Sequence, residues 1–208
     1  MEKFRTFDPC TLLSPVPAVM VSCRGTKADA VPNIITVAWA GTINSTPPMV
    51  SVSIRKQRHS HALIAESGEF VVNLVDEPRC RACDWCGVKS GRDYDKFAET
   101  GLHAMRALNM EYAPAITECP AYLACKVRKV EELGSHDLFI GEVVGVQVRD
   151  DLFDEDGSLH LERAGLVCYN HGVYQRAEGV LGFFGYSLAR PDVLKKRMRT
   201  YRIPKRKE

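Results

Sequence analysis

The chain has 208 residues, 45% of them hydrophobic and 26% charged, with a formal net charge of +2. Those values suit one soluble globular domain and leave little room for two. No run approaches the ~20 consecutive apolar residues of a membrane helix. Met1-Glu2-Lys3-Phe4-Arg5 is not followed by an apolar export core, so the expected home is the cytoplasm. The charge is uneven. Of 28 Lys or Arg and 26 Asp or Glu, residues 195–208 hold eight and one, leaving 20 and 25 in residues 1–194, a net of −5. That divides the chain into a single domain, 1–194, and a basic C-terminal tail, 195–208, which reads as solvated chain, an arm onto a partner subunit, or an acid-binding patch. Tyr201 is its single aromatic, so nucleic acid ranks last among its partners.

Val19 to Cys23 predicts a strand that ends at the polar turn Arg24–Asp29, and Val31 to Ala40 predicts a second. A β-rich run from Thr36 to Ile43 meets the turn Asn44-Ser45-Thr46-Pro47-Pro48. Met49 to Arg55 then alternates Val50, Val52 and Ile54 against Ser51, Ser53 and Arg55, the period of a half-buried strand. Ser60 is placed to cap a short helix, His61–Glu66, stopped by Ser67-Gly68. Phe70–Leu74 reads as a strand, residues 78–106 carry helical spacing, and Tyr122–Val130 and Asp137–Val148 read as long strands. An acidic loop spans Asp150–Ser158. Many short strands with polar turns and a few helices argue for a mainly β protein closed into an antiparallel barrel. A nucleotide-binding Rossmann turn, G-x-G-x-x-G between strand and helix, is absent, so any nicotinamide would bind transiently on an open surface.

The stretch from Asn33 to His61 carries the chemistry. Trp39 offers an aromatic plane beside the small hydrogen-bonding groups Thr36, Thr42 and Asn44. One face of the Met49–Arg55 strand is apolar, and the other presents hydroxyls and a guanidinium, with Ser53 on the side of Arg55. Arg55, Arg58, Ser60 and His61 gather where the strand hands over to a helix start, an arrangement suited to a phosphate. A planar ligand with an anionic end fits that wall, which reads as a flavin mononucleotide (FMN) site. The bland alternatives are a Trp39 packed in the core and a solvated polar connection from Arg55 to His61.

The same segments, in order, resemble the flavin reductase-like, flavoredoxin-type family of FMN-binding split barrels. Ser14–Ser22 resembles its opening strand, Asn33–Ile54 its two flavin-contacting strands, and Ser67–Leu74 the next. Cys86-Gly87-Val88-Lys89-Ser90-Gly91-Arg92-Asp93-Tyr94-Asp95-Lys96-Phe97 resembles its helical segment, and His136–Val143 a late strand. The resemblance covers roughly residues 10 to 190 and implies a split β-barrel with peripheral helices. It implies that Lys96 reaches the phosphate and that the backbone at Ala40 and Gly41 approaches the ring. Asn33 and Thr36 are expected at the ring edge or ribityl chain. By the same resemblance His136 lies near the flavin, stacking on it, orienting nicotinamide or giving a proton. Tyr169, Tyr174 and the run Gly182–Tyr186 are expected at the ring's outer face or a subunit interface.

The expected function is an FMN-bound oxidoreductase passing electrons from NADH, NADPH or a protein donor, in a homodimer and with a redox partner protein. The alternative is an FMN-binding electron carrier or sensor without turnover, and a third reading is a partner-binding module using the tail. Cys80-x-x-Cys83-x-x-Cys86 has spacing that could serve zinc or an iron–sulfur cluster given a fourth ligand. On a helix the three positions wind round one face, and Cys86, Cys119 and Cys125 match family positions that carry cysteine without metal, so reduced thiols and no metal are expected. Cys10, Cys23 and Cys168 are expected as small buried hydrophobes.

Overall fold

A computed structural model describes residues 3–201. In chain order the elements are β1 (Val16–Pro17), β2 (Val19–Cys23), β3 (Asn33–Val37), β4 (Ala40–Ser45), β5 (Pro48–Arg55), α1 (His59–Ser67) and β6 (Glu69–Leu74). There follow α2 (Cys80–Val88), α3 (Lys96–Thr100), β7 (Ala104–Arg106), β8 (Pro114–Ile116), β9 (Ala121–Glu132) and β10 (His136–Val148). The described chain closes with β11 (Val167–Asn170), β12 (Val173–Arg176) and α4 (Pro191–Thr200). Residues 1, 2 and 202–208, and with them the start of the leader reading and the end of the basic tail, lie outside the described residues. Lys195 to Thr200 are helical rather than tail-like, continuing α4. Among the described residues no helix is long and apolar enough to cross a membrane.

Seven strands pair antiparallel in the order β3-β2-β6-β9-β10-β5-β4. The two ends of that order, β3 and β4, are separated in sequence only by Ala38 and Trp39. A sheet whose edge strands are joined by two residues must curl round on itself, and the Ser53 N–H donates to the Trp39 carbonyl across the seam (2.9 Å). The barrel is therefore closed by a bent run rather than by a full ladder, and it is split at Ala38-Trp39. The sequence pattern predicts one strand over Thr36–Ile43. The bend breaks it because a barrel corner has to be turned there.

Alternation places the core. Val50, Val52 and Ile54 of β5 point into the barrel with Val19, Val21, Ile35, Val37, Phe70 and Phe139. β2 is buried on both faces: Met20, with Ile34 of β3, faces outward into a second core built from α2, α3 and β11. Tyr169 and Tyr174 pack edge-to-face (5.3 Å) against this second core. Cys83, Cys86 and Cys119 lie in it too, with thiols pushed by burial up to about 12, 11 and 12. Cys23 is buried as expected, Cys168 is half-buried and Cys10 is exposed. The segment 78–106 is two short helices, an irregular stretch from Lys89 to Asp95 and a strand, rather than one helical run.

Candidate functional site

Two adjoining cavities open where β3 and β5 run out towards α1. The larger, about 430 Å³, is lined by Asn33, by Arg55 through Ser60 apart from Lys56, by Lys89 through Arg92, and by Lys96. The smaller, about 200 Å³, is lined by Ile35 through Trp39, Ser53 through Arg55, Arg58 and His136. Ile35, Arg55 and Arg58 belong to both, which makes one continuous groove.

The larger cavity is lined by cations. Arg55, Arg58, Lys89, Arg92 and Lys96 line it, and among the described residues lining it there is no carboxylate. The first turn of α1 opens here with no side-chain cap on its amides, and the positive end of the helix dipole points the same way. Sequence reasoning made Ser60 the cap and began the helix at His61. The helix begins at His59, and Ser60 sits buried inside the first turn, accepting from the Asn33 amide at 2.7 Å. That pair fixes the cavity floor. Gly91 lies hard against it: a Cβ there would fall 2.1 Å from Asn33 Oδ1, so only glycine allows this approach.

Lys96 lines the cavity from below. Its Nζ donates to the Ile34 carbonyl (2.8 Å) and to the Cys86 carbonyl in the last turn of α2 (2.6 Å). Two of an ammonium's three donors are thus engaged inside the protein, and one is free to face a ligand. Burial lowers its pKa, the Cys86 side opposes that, and the Arg58 charge lowers it further. Arg92 is held to the α1 approach by a bond to the Gln57 carbonyl (2.9 Å).

The smaller cavity differs in kind. Its wall is the indole of Trp39, 44% exposed, with the His136 ring tilted against it at 4.6 Å between centroids. His136 stands opposite Arg55 in the β5–β10 register, and Ser135 Oγ lies 2.9 Å from its Nδ1. Burial and then the Arg55 charge hold the His136 imidazole below its ordinary value. Thr36 hydrogen-bonds the Cys83 carbonyl, which ties this wall to α2. Chemically, the groove can hold an anion at one end and a flat polar ring at the other, with an imidazole beside the ring.

Of the residues expected from sequence, Asn33, Arg55, Arg58, Ser60 and Lys96 meet at the larger cavity, and Thr36, Trp39, Ser53 and His136 at the smaller. Ala40, Gly41, Thr42 and Asn44 line neither. They lie on β4 beyond the bend, where Asn44 closes its own turn by donating to the Pro47 carbonyl (2.8 Å). His61 is turned away, with Nε2 2.8 Å from Asp137 Oδ2 and its ring edge against Phe139. Gln57, His59, Lys89, Ser90, Gly91 and Arg92 line the cavity and were missed. The Lys89-Ser90-Gly91-Arg92 cluster of cation, hydroxyl and glycine was the signal that could have found most of them. Among the described residues no group of three or more His, Cys, Asp or Glu is arranged to hold a metal.

The model of the flavin reductase-like domain matches residues 13–178 of the chain. Among solved structures, flavoredoxin of Desulfovibrio vulgaris (Miyazaki F) aligns at 28% identity, covering 90% of this chain and all of that one, with a TM-score of 0.82. An FMN-binding protein from Thermus thermophilus shares the fold at 24% identity and a TM-score of 0.71, over 88% of this chain and all of that one. Among curated proteins, the reductase component of a 4-nitrophenol 4-monooxygenase/4-nitrocatechol 2-monooxygenase from Rhodococcus opacus is 30% identical over 57% of this chain. That match spans 60% of the Rhodococcus protein's length.

Proposed function

Because this chain belongs to the flavin reductase-like family, we propose that it is an FMN-binding oxidoreductase that takes electrons from NADH, NADPH or a protein donor. One observation carries the reading: a cation-lined, acid-free cavity runs directly into a shallow aromatic-walled one. The donor set fits the group. Arg55, Arg58 and Arg92 would hold the phosphate with the α1 amides, and Ser60 and Asn33 set the floor beneath it. Thr36 and Ser53 would hydrogen-bond the polyol or ring edge, and Trp39 would cover one side of the ring. FMN, when bound, supplies hydride and single-electron acceptance at its ring.

The chain itself binds, orients and protonates. The phosphate end anchors the cofactor so that the ring lies against Trp39 and His136. The His136 imidazole, with Ser135 Oγ 2.9 Å from Nδ1, is placed to take up a proton and pass it on, or to orient nicotinamide. A larger cavity that would take a single terminal phosphate favours FMN over FAD in this reading. A homodimer completes the pocket in this reading, and the exposed Trp39, Ile43, Phe184 and Leu188 are surfaces that a second subunit would cover. A redox partner protein would approach the part of the Trp39–His136 edge that the second subunit leaves open, and the cytoplasm would be the working compartment.

The test is an absorbance spectrum of the purified protein followed by anaerobic titration with NADH and NADPH. A flavin spectrum that bleaches with either nicotinamide is the expected result. A colourless protein that gains no flavin on incubation with FMN contradicts it. The exposed Trp39–His136 edge, open enough for a protein surface, favours one second reading, an electron carrier without turnover. A bound flavin that neither nicotinamide reduces, but a reduced protein donor does, would select it.

A further inference from the structure

His59 is the first residue of α1, half-buried, and lines the larger cavity between Arg58 and Ser60. The charged groups facing that cavity come from every element around it: Arg55 from β5, Arg58 at the helix entrance, Lys89 and Arg92 from the α2–α3 connection, and Lys96 from α3. β3 contributes the neutral Asn33 and Ile35. The remaining titratable groups nearby are committed elsewhere. Lys56 is bonded to Glu132 (2.6 Å), His61 to Asp137 (2.8 Å), and Asp95 accepts from the amides of Phe97 and Ala98 as the cap of α3. An imidazole surrounded by cations, with no carboxylate on the cavity wall, has every reason to stay neutral until an anion arrives. Burial, then the charges of Arg92 and Lys96, hold it below its ordinary value.

We propose that His59 is a proton-linked phosphate ligand, taking up a proton as the phosphate of FMN enters and so making flavin affinity rise as pH falls. The sign follows from linkage. A dianion beside the imidazole favours the charged ring, so the pKa of His59 is higher in the complex than in the free protein. Between those two values, affinity increases as pH drops, by at most tenfold per pH unit for one proton. The second ionisation of the phosphate, near ~6, works in the opposite direction, because a monoanion binds less well. Only the difference between proteins with and without the imidazole isolates His59. The extra loss of flavin on alkalinisation in wild type, over that of a His59 variant, is then the part that this side chain contributes.

The inference rests on the phosphate reading of the cavity, and the experiment separates the two. FMN and riboflavin are titrated into the full-length wild-type chain and into His59→Gln by calorimetry between pH 6.5 and 8. Two buffers of different ionisation enthalpy at each pH give the number of protons exchanged. Wild type should take up more protons per FMN than His59→Gln, and its affinity should fall severalfold more steeply with rising pH. Riboflavin should show no such difference. Equal proton exchange and equal slopes overturn the proposal. FMN binding no tighter than riboflavin in wild type overturns the phosphate reading itself, and the proposal with it. Should His59→Gln fold poorly, the His59 ring nitrogen resonances of the wild type decide: its pKa should rise on adding FMN, and an unmoved pKa overturns the proposal.

Discussion

The two ends of the groove are built differently. At the larger cavity the floor is held by buried contacts: Asn33 bonds Ser60, Gly91 lies hard against Asn33, and Lys96 ties β3 to α2. At the ring end, Trp39 and His136 lean on each other at an open edge, with only Thr36 tied back to a helix. A prebuilt end carries affinity, because its donors need no ordering when the ligand arrives. An open end carries reactivity, because a donor or acceptor must reach the ring there. Substitutions at the first should therefore change binding, and those at the second should change rates.

The sharpest break of that contrast is Gly91→Ala. The new methyl must displace Asn33, whose buried amide then loses Ser60, an effect of about 1–3 kcal/mol. FMN affinity should fall roughly ten- to hundredfold, with a lower melting temperature, both readable by flavin fluorescence titration and thermal denaturation. Unchanged affinity would mean that the floor of the cavity is not part of the binding site.

Arg55→Ala removes one charge-assisted contact of about 1.5–3 kcal/mol and should weaken FMN by roughly tenfold or more. Because Arg55 also lowers the His136 pKa, the same variant should raise the pH at which His136 titrates. A chemical-shift titration of His136 checks this, and an unmoved pKa would detach the two ends from one another.

His136→Ala should leave FMN bound and slow its reduction by nicotinamide, on the order of tenfold if a proton is transferred. Stopped-flow reduction measures it. Full occupancy with an unchanged rate would return His136 to a packing partner of Trp39.

The smallest effect is expected behind the groove. Burial would raise the pKa of Asp137, but the His61 hydrogen bond and the Lys56 charge outweigh it, and the folded-state pKa is lowered. A depressed carboxylate stabilises the fold above its unfolded pKa and loses that contribution as pH falls through the folded value. Asp137→Asn should thus lower stability modestly at pH 7 and flatten the decline below about pH 4. Urea unfolding at both pH values tests it, and flavin affinity should not move.

Much of this architecture was legible because alternation writes burial into the sequence. Val50, Val52 and Ile54 against Ser51, Ser53 and Arg55 gave β5 its inner and outer faces, and the buried set is the one expected. Closure was not legible. Nothing in Thr36–Ile43 says that the strand bends at Ala38-Trp39, because the bend answers to strands far along the chain. That bend is also why Ala40, Gly41, Thr42 and Asn44 line neither cavity. The β11–β12 hairpin was missed although His171-Gly172, both at positive φ, form the two-residue loop that such hairpins favour. At the site, β5 and the α1 entrance could be read locally. Lys89 to Arg92 offered only their composition, since a connection between two helices has no period and is brought to the cavity by folding over Asn33.

The central claim is that the larger cavity holds the phosphate of a flavin, and side-by-side titration of the purified chain with FMN and riboflavin tests it most directly. Several charge-assisted contacts at about 1.5–3 kcal/mol each predict FMN binding at least a hundredfold tighter, with the difference shrinking at high salt. Equal affinity for the two flavins would contradict it.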